Sequence, residues 1–462
     1  MNFSDQFEKF IKKHELLHEG DKVLLAVSGG MDSVVLLDLF LHITHSWNLE
    51  LSVAHLNHGL RDKMADRDEA FVRNLAGSKG LHFYSRKVDV NQYCKVHKLS
   101  LEEGARNLRF EFLNSLMDRL KYDRLALGHQ KNDQAETILM NLIRGSGLRG
   151  LGGIRPGRGR MIRPLLFATR EQIQSYAEDR GLDNVDDVSN RDRRFLRNRV
   201  RLDVFPELEK ATGHHAVTGF YRTGNACEEA EDYLKYSARE ALKEIIVSRS
   251  KDEIILDIYK FLSYFKVVQK YVLFQIFEEE FPQEGISHFK IDRLLRLAEE
   301  GRSGGFLELA NGGRVMRSRN RLVFLRKHLS IPEMPVPVGR QLNLSDIGLQ
   351  FRSELLERKE NKIVFTSERG IEYLDYDTIS FPMHLRSFRQ GDKFIPLGMA
   401  QKKKLHDFFI DEKIPVYRRT SIPLLVGEEE IIWVVGYRIN DRFKVTGKTK
   451  KILKVEVNRI QS

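Results

Sequence analysis

Cysteine is nearly missing from this chain: Cys94 and Cys227 are the two present in 462 residues, and they lie far apart in sequence. That scarcity excludes a disulfide framework, a Cys-x-x-Cys redox pair and a Cys-rich zinc or iron–sulfur centre. Long apolar runs are lacking as well. No stretch of 18 apolar residues occurs, and the start, Met-Asn-Phe-Ser-Asp-Gln-Phe-Glu-Lys, lacks the basic-then-apolar form of a signal peptide. The expectation is a cytoplasmic protein with no membrane association. Neither a repeat of fixed period nor a long low-complexity tract is found. Acidic residues are in deficit, 65 against 76 Lys and Arg, and the formal charge of +11 points to a polyanionic partner whose phosphates those side chains neutralise.

What is present has a clear order. Up to about residue 145, short apolar or β-branched runs (Val23 to Val27, Leu51 to His55, His82 to Val88, Leu125 to Gly128) alternate with helical patterns. Such alternation predicts βαβ units and a doubly wound, mostly parallel sheet in an α/β fold. Helical periodicity dominates from about Tyr221 to Leu297. The prolines concentrate once, three of them in six residues within Ile331 to Val338, which reads as a linker. Short β-branched runs near Leu424, Ile431 and Lys451, with a helix near Lys404 to Phe409, predict an α+β C-terminal part. The expected domains are therefore 1–215 (α/β), 216–330 (helical), 331–340 (linker) and 341–462 (α+β).

The strand Lys22 to Val27 runs straight into Ser28-Gly29-Gly30-Met31-Asp32-Ser33 and then an amphipathic helix. Two glycines clear side chains from backbone N–H groups, two serines add hydroxyl donors, and the helix start brings the positive end of its dipole. A Walker A loop would place a lysine here, and none is present. Asp32 would repel a phosphate unless a divalent cation lay between them, so the loop implies Mg²⁺ as well as a nucleotide.

In an open α/β sheet, ligands lie beyond the carboxyl ends of the strands, so other strand ends should join this loop. One is Ala54-His55-Leu-Asn-His58-Gly-Leu-Arg61. Another is Gly128-His129-Gln-Lys-Asn132-Asp133-Gln-Ala-Glu136, where two carboxylates three apart open a helix and face one way. They suit Mg²⁺ or an amine substrate, or else are ordinary first-turn acids. His129 is a candidate base. Glu102, Arg106 and Arg109 share a helix face, with Arg106 the candidate to meet developing negative charge, surface ion pairs being the alternative. Basic segments follow. Residues 144 to 163 carry six arginines, seven glycines and no acid, which predicts a mobile cationic loop, and 191 to 201 interleave arginines with Phe195 and Leu196. Arg386, Arg389, Lys403 and Lys404 repeat the basic-plus-aromatic theme near Phe388 and Phe408, consistent with RNA or DNA.

The loop resembles the pyrophosphate (PP) loop of the N-type ATP pyrophosphatases, which cleave ATP between the α- and β-phosphates. Across nearly the whole chain the motifs are similar to those of the tRNA(Ile)-lysidine synthetases: Ser28 to Ser33, His55 to Arg61, Glu103-Gly-Ala-Arg106, Gly128-His129 with Asp133 to Thr137, and Phe195 to Arg201. Gly391-Asp-Lys-Phe-Ile-Pro-Leu-Gly-Met399 with Lys403-Lys404 and Asp407-Phe-Phe409 complete the set. The resemblance implies that ATP adenylates the C2 oxygen of the wobble cytidine in an isoleucine tRNA with a CAU anticodon, and that free L-lysine then displaces AMP. It further implies that Ser28, Gly29, Gly30, Met31, Asp32, Ser33, Ala54 and His55 bind ATP, that Asp32 and Asp133 hold Mg²⁺, and that Asp133, Glu136, Arg106 and His129 carry the chemistry. Arg144, Arg149, Arg194, Arg197, Arg201, Arg389, Lys403 and Lys404 are then the tRNA contacts. Two departures stand out: relatives often carry an aspartate at Asn132, and a glycine rather than Ala400 after the methionine. A tRNA thiolase on the same fold and a noncatalytic RNA-binding protein are the alternatives, and homo-oligomerisation is left open.

Overall fold

A computed structural model describes the chain apart from residues 1, 60–62, 186–191, 194–195, 328–329, 345–347, 359–369, 429 and 460–462, and the side chains of 63 and 459. It divides into two compact units, Met1–Tyr233 and Leu234–Ser462.

The first unit is built on a six-stranded sheet. In chain order its elements are α1 (Phe3–Lys13), β1 (Lys22–Ala26), α2 (Met31–Ile43), β2 (Glu50–Asn57), α3 (Lys63–Ser78), β3 (His82–Lys87), α4 (Val90–His97), α5 (Leu101–Leu120), β4 (Arg124–Ala126), α6 (Lys131–Ile143), α7 (Leu148–Leu151), β5 (Gly157–Arg158), β6 (Met161–Ile162) and α8 (Arg170–Asp179). Then come α9 (Leu196–Arg199), a π-helical turn (Val200–Val204), α10 (Phe205–Thr212) and α11 (Ala216–Ile245), the last of which runs on into the second unit. Strand order is β3-β2-β1-β4-β6-β5, with every pairing parallel except β5 with β6.

The central strands β1, β2 and β4 are buried on both faces, which is why they read as continuous apolar runs rather than alternating ones. Val23, Leu25 and Val27 enter one core with Leu36, Phe40 and Ile173 from the helices. Leu24, Ala54 and Leu56 enter the other, with Leu108, Phe112 and Leu116 of α5. Fully burying side chains of this size contributes about 1.5–3 kcal/mol each. The chain winds outward from β1 to β3 and then returns to place β4 on β1's other side. That reversal is a topological switch point, and the crevice it opens lies beyond the carboxyl ends of β1 and β4. The predicted α/β fold with a doubly wound, mostly parallel sheet is the observed one.

The second unit keeps the predicted helices, Ile258–Ser263, Lys266–Glu280 and His288–Glu300, and adds a five-stranded antiparallel sheet that packs with them around Phe261, Phe277 and Phe324. The middle stretch is thus helix and sheet together, its strands too short to stand out from the helical periodicity. Toward the C-terminus, a four-stranded sheet with Lys451–Arg459 between two partners packs with a second five-stranded sheet around Trp433, Phe351 and Leu453. The proline-rich stretch is part of that fold. Met334 and Pro335 pair with Leu385 and His384 at a sheet edge, where proline's missing N–H is tolerated, and Ile331 and Val336 are buried.

Candidate active site

The PP loop is held by its own serines. Ser28 N–H donates to Ser33 Oγ (3.1 Å), Ser33 Oγ–H donates to the Gly30 carbonyl (2.8 Å), and Gly30 N–H reaches Ser28 Oγ (3.4 Å). Gly29 sits at φ +95°, a left-handed conformation that favours glycine. No side chain caps the N-terminus of α2, so its first N–H groups and dipole face the crevice. Gly128, at the end of β4, packs on that turn so closely that a Cβ there would sit 3.3 Å from the Asp32 carbonyl.

The start of α6 stands opposite. Asp133 closes a capping box by accepting the Gln130 N–H (3.0 Å), and Gln130 in turn donates its amide to Asp32 (3.2 Å). Burial, then the Asp133 charge, push Asp32 up to about 6, with Gln130, Arg170 and Arg201 opposing. Two oxygen donors at facing helix starts, one raised partly by the other, form a donor set suited to a divalent cation. Mg²⁺ is commonly held by one or two carboxylates, with substrate phosphates and water completing its shell.

Glu136 is fully buried and accepts Arg197 Nε and Arg201 Nε, each at 2.6 Å. Asp133 accepts the same two arginines at 2.9 and 3.3 Å. Arg197 and Arg201 are four residues apart across α9 and the π-helical turn, so both reach one helix face. Val200 and Phe205 pin that segment on Ala135 and Leu139 of α6. Burial opposes ionisation of Asp133, but Arg197, His129 and Arg201 outweigh it and hold the carboxyl low. Two carboxylates are thus matched by two guanidiniums. Arg197 and Arg201, expected on an RNA-facing surface, are instead committed to this quartet, because buried carboxylates need buried countercharges.

Beside the quartet lies a group of polar atoms with no protein partner. Arg109 Nε, His129 Nδ1, Gln130 Oε1 and Arg163 Nε are all buried and unpaired. Buried polar groups are normally hydrogen-bonded, so four orphans in one place mark a pocket shaped for a polar ligand. Burial, then the charges of Arg106 and Arg158, lower Arg163 to about 10, and burial, then Arg106 and Arg197, lower Arg109. The pocket is cationic. His129 is brought down to about 3, by burial first and then by Arg163, Arg109 and Arg197 against the opposing pull of Asp133. Burial thus favours the neutral imidazole, whose unpaired Nδ1 is open to a hydrogen bond beside Asp133. Sequence spacing had put Arg106 and Arg109 on one face. Both lie over Phe110, but Arg106 is exposed, while the Nε of Arg109 is buried. Gln130 was missed altogether, although its place between Asp32 and Asp133 followed from the helix start.

The remaining predicted residues fall in several places. Ala54 and His55 are buried at the end of β2, with the Ala54 carbonyl taken by Val27 N–H (2.9 Å) and His55 Nδ1 3.0 Å from the Val27 carbonyl. The stretch 144 to 163 is not a free loop. Gln134 donates to the Gly152 carbonyl (2.8 Å) and Asn141 to that of Gly150 (2.8 Å). Arg155 bridges Glu231 and Asp232 on α11, and Arg160 pairs with Asp118 on α5. The acids missing from the stretch itself come from these helices. Arg144 and Arg158 lie on the surface. Arg389 pairs with Glu333 (2.7 Å), Lys403 pairs with Asp411, and Lys404 is exposed. Arg61 and Arg194 lie outside the described residues. Cys94 bonds the Ser100 carbonyl inside a core, and Cys227 is on α11, so neither joins the site.

A nucleotide-type loop at a switch point, with facing carboxylates, defines an ATP-utilising enzyme of the PP-loop class, and residues 1–208 match the family model described as a PP-loop domain. Residues 383–457 match a second model, the TilS substrate C-terminal domain. A tRNA(Ile)-lysidine synthase of Clostridium tetani is 32% identical over 455 residues, covering 97% of this chain and 96% of its own. Those of Dehalococcoides mccartyi (34%, 98% of each chain) and Parabacteroides distasonis (33%, 96% and 97%) are similar over the same extent. The chain belongs to the tRNA(Ile)-lysidine synthase family. Among solved structures, a TilS C-terminal domain is 24% identical with a TM-score of 0.25, covering 28% of this chain and 98% of that one. A U34-tRNA thiolase of Methanococcus maripaludis is 22% identical with a TM-score of 0.41, covering 49% and 78%. Among the described residues no helix is long and apolar enough to cross a membrane.

Proposed function

We propose that the protein ligates free L-lysine to C2 of the wobble cytidine of an isoleucine tRNA bearing a CAU anticodon, at the expense of ATP. The observation that carries this reading is the position of Asp133, which interacts with the PP loop's Asp32 on one side and with Arg197, Arg201 and His129 on the other. One carboxylate thereby joins a phosphate site to a cationic, partly unpaired pocket where a base and an amine can meet.

The PP loop takes the pyrophosphate of ATP on the N–H groups of Gly29 to Asp32 and the hydroxyls of Ser28 and Ser33. Asp32 and Asp133 would hold Mg²⁺, which supplies charge neutralisation between carboxylates and phosphates. Ala54 and His55 line the nucleoside end. The cytidine O2 attacks the α-phosphorus, the bond to the β-phosphate breaks, and pyrophosphate leaves. Arg109, buried at its Nε, rather than the exposed Arg106, meets the developing negative charge. The unprotonated ε-amine of lysine then attacks C2, the bond from C2 to the adenylated oxygen breaks, AMP departs, and the nitrogen releases a proton. Adenylation is what makes a poor leaving oxygen a good one. Glu136 keeps Arg197 and Arg201 in place, and His129 orients the groups around Asp133. Phosphates of the tRNA fall to Arg144, Arg149, Arg389 and Lys404, with domains 1–215, 216–330 and 341–462 sharing the RNA.

The test incubates the protein with Mg²⁺-ATP, radiolabelled lysine and the CAU-anticodon tRNA and counts acid-insoluble label. Incorporation is expected with this tRNA and not with an isoleucine tRNA of GAU anticodon. Absence of label from both ends the reading.

A further inference from the structure

Arg170 opens α8, and its guanidinium makes no hydrogen bond or ion pair among the described residues. Its surroundings place it at the phosphate end of the site. Tyr176 Oη donates to Asp38 of α2 (2.8 Å), and Arg180 lies 3.4 Å from the same carboxylate. The first turn of α8 is tied instead to the first turn of α6: Arg170 N–H donates to Asn132 Oδ1 (3.1 Å), and Lys131 N–H donates to the Ala168 carbonyl (2.8 Å). Because α6 begins beside Asp32, α8 and α2 lie side by side with their N-termini at the same end. After α8 the chain returns, and Val185 N–H closes on the Gly29 carbonyl (3.0 Å). This strap, anchored at Asn132 and at Gly29, holds an uncommitted arginine next to the uncapped start of α2. Its charge acts on the Asp32 carboxylate.

We propose that Arg170 is a phosphate-binding residue of the nucleotide site, taking the β- and γ-phosphate oxygens of ATP and the pyrophosphate product. The inference rests on the reading of this crevice as an ATP pyrophosphate site. A guanidinium offers paired donors matched to two phosphate oxygens, and it supplies positive charge beside the loop's N–H groups. Asn132 acquires a role as well. Where relatives carry an acid, this chain uses the amide oxygen to fix the backbone that presents Arg170, a bond that either residue type can accept.

Arg170→Ala and Arg170→Lys in the full chain test this, with Mg²⁺ present and the non-cleavable α,β-methylene analogue of ATP, pyrophosphate and AMP as probes. In Arg170→Ala the analogue and pyrophosphate are expected to bind about 10- to 100-fold more weakly, and AMP, which lacks the outer phosphates, within about twofold of the parent. Lysine at 170 recovers part of the loss. The Asn132 bond uses backbone and survives both substitutions, so the melting temperature should hold. Unchanged affinity for analogue and pyrophosphate overturns the proposal, and so does an equal loss for AMP. Lysine incorporation by the parent protein is read in parallel: its absence, with the phosphate pattern intact, sinks the lysidine reading and leaves Arg170 in place.

Discussion

Glu136→Gln removes one charge from the quartet at almost constant volume, and the consequence can be worked from the geometry. In the parent, two carboxylates face two guanidiniums, and the Glu136 side chain is 1% exposed. Its Oε1 and Oε2 accept Arg201 Nε and Arg197 Nε at 2.6 Å, with a further bond from Arg201 Nη2 at 3.2 Å. Glutamine keeps one carbonyl oxygen for one arginine and turns an NH₂ donor toward the other, so donor faces donor. It also leaves the site one positive charge in excess beside Arg109 and Arg163. Removing one partner of a buried ion pair costs about 3–5 kcal/mol, and the retained acceptor places this change near the lower end, about 3 kcal/mol. A domain of 150–250 residues loses roughly 2–4 °C per kcal/mol, so the transition of the Met1–Tyr233 unit should fall by about 6–12 °C. Calorimetry of the full chain reads that shift, and hydrogen exchange should show faster opening of residues 131–143 and 196–204. A shift under about 2 °C with unchanged exchange in both segments refutes the claim that Glu136 carries the arginines.

Asp133→Asn should lower turnover at least 100-fold while leaving tRNA affinity within about twofold, since Asp133 acts at the nucleotide and amine rather than on the RNA; lost tRNA binding would reassign it to structure. Arg144→Ala with Arg158→Ala should flatten the salt dependence of tRNA binding by about one unit of slope per lost phosphate contact, with no change in melting. Arg155→Ala should do the reverse, lowering the melting temperature because it removes a guanidinium bonded to Glu231, only 3% exposed at its side chain. The His129 imidazole, held at about 3, should show NMR shifts that do not titrate between pH 8 and pH 5, whereas an ordinary histidine titrates near 6.5.

Much of this was legible in the sequence. Lys22 to Ala26 is apolar at every position after the first because it is buried on both faces, and Ser28 to Ser33 follow it by chain continuity alone. Asp133 and Glu136 were readable as a pair because their spacing is local. What paired with them was not. Arg197 and Arg201 lie more than sixty residues away, and a run of arginines looks the same whether it meets phosphate or a buried carboxylate. The same ambiguity hid Arg155 and Arg160, whose acids sit on α11 and α5. Choosing between Arg106 and Arg109 requires knowing which side of α5 meets the sheet, and three-residue spacing does not tell. Short strands such as Phe306–Glu308 and Met334–Pro335 acquire identity only from their partners.

On the proposed function, one site both activates cytidine with ATP and seats lysine. Nucleoside mass spectrometry of the reacted CAU tRNA, with AMP and pyrophosphate quantified in the same sample, tests it most directly. The expected product is lysine attached to the wobble cytidine base, with one AMP and one pyrophosphate released per lysine bound. Pyrophosphate release with an unmodified or sulfur-bearing base would contradict it.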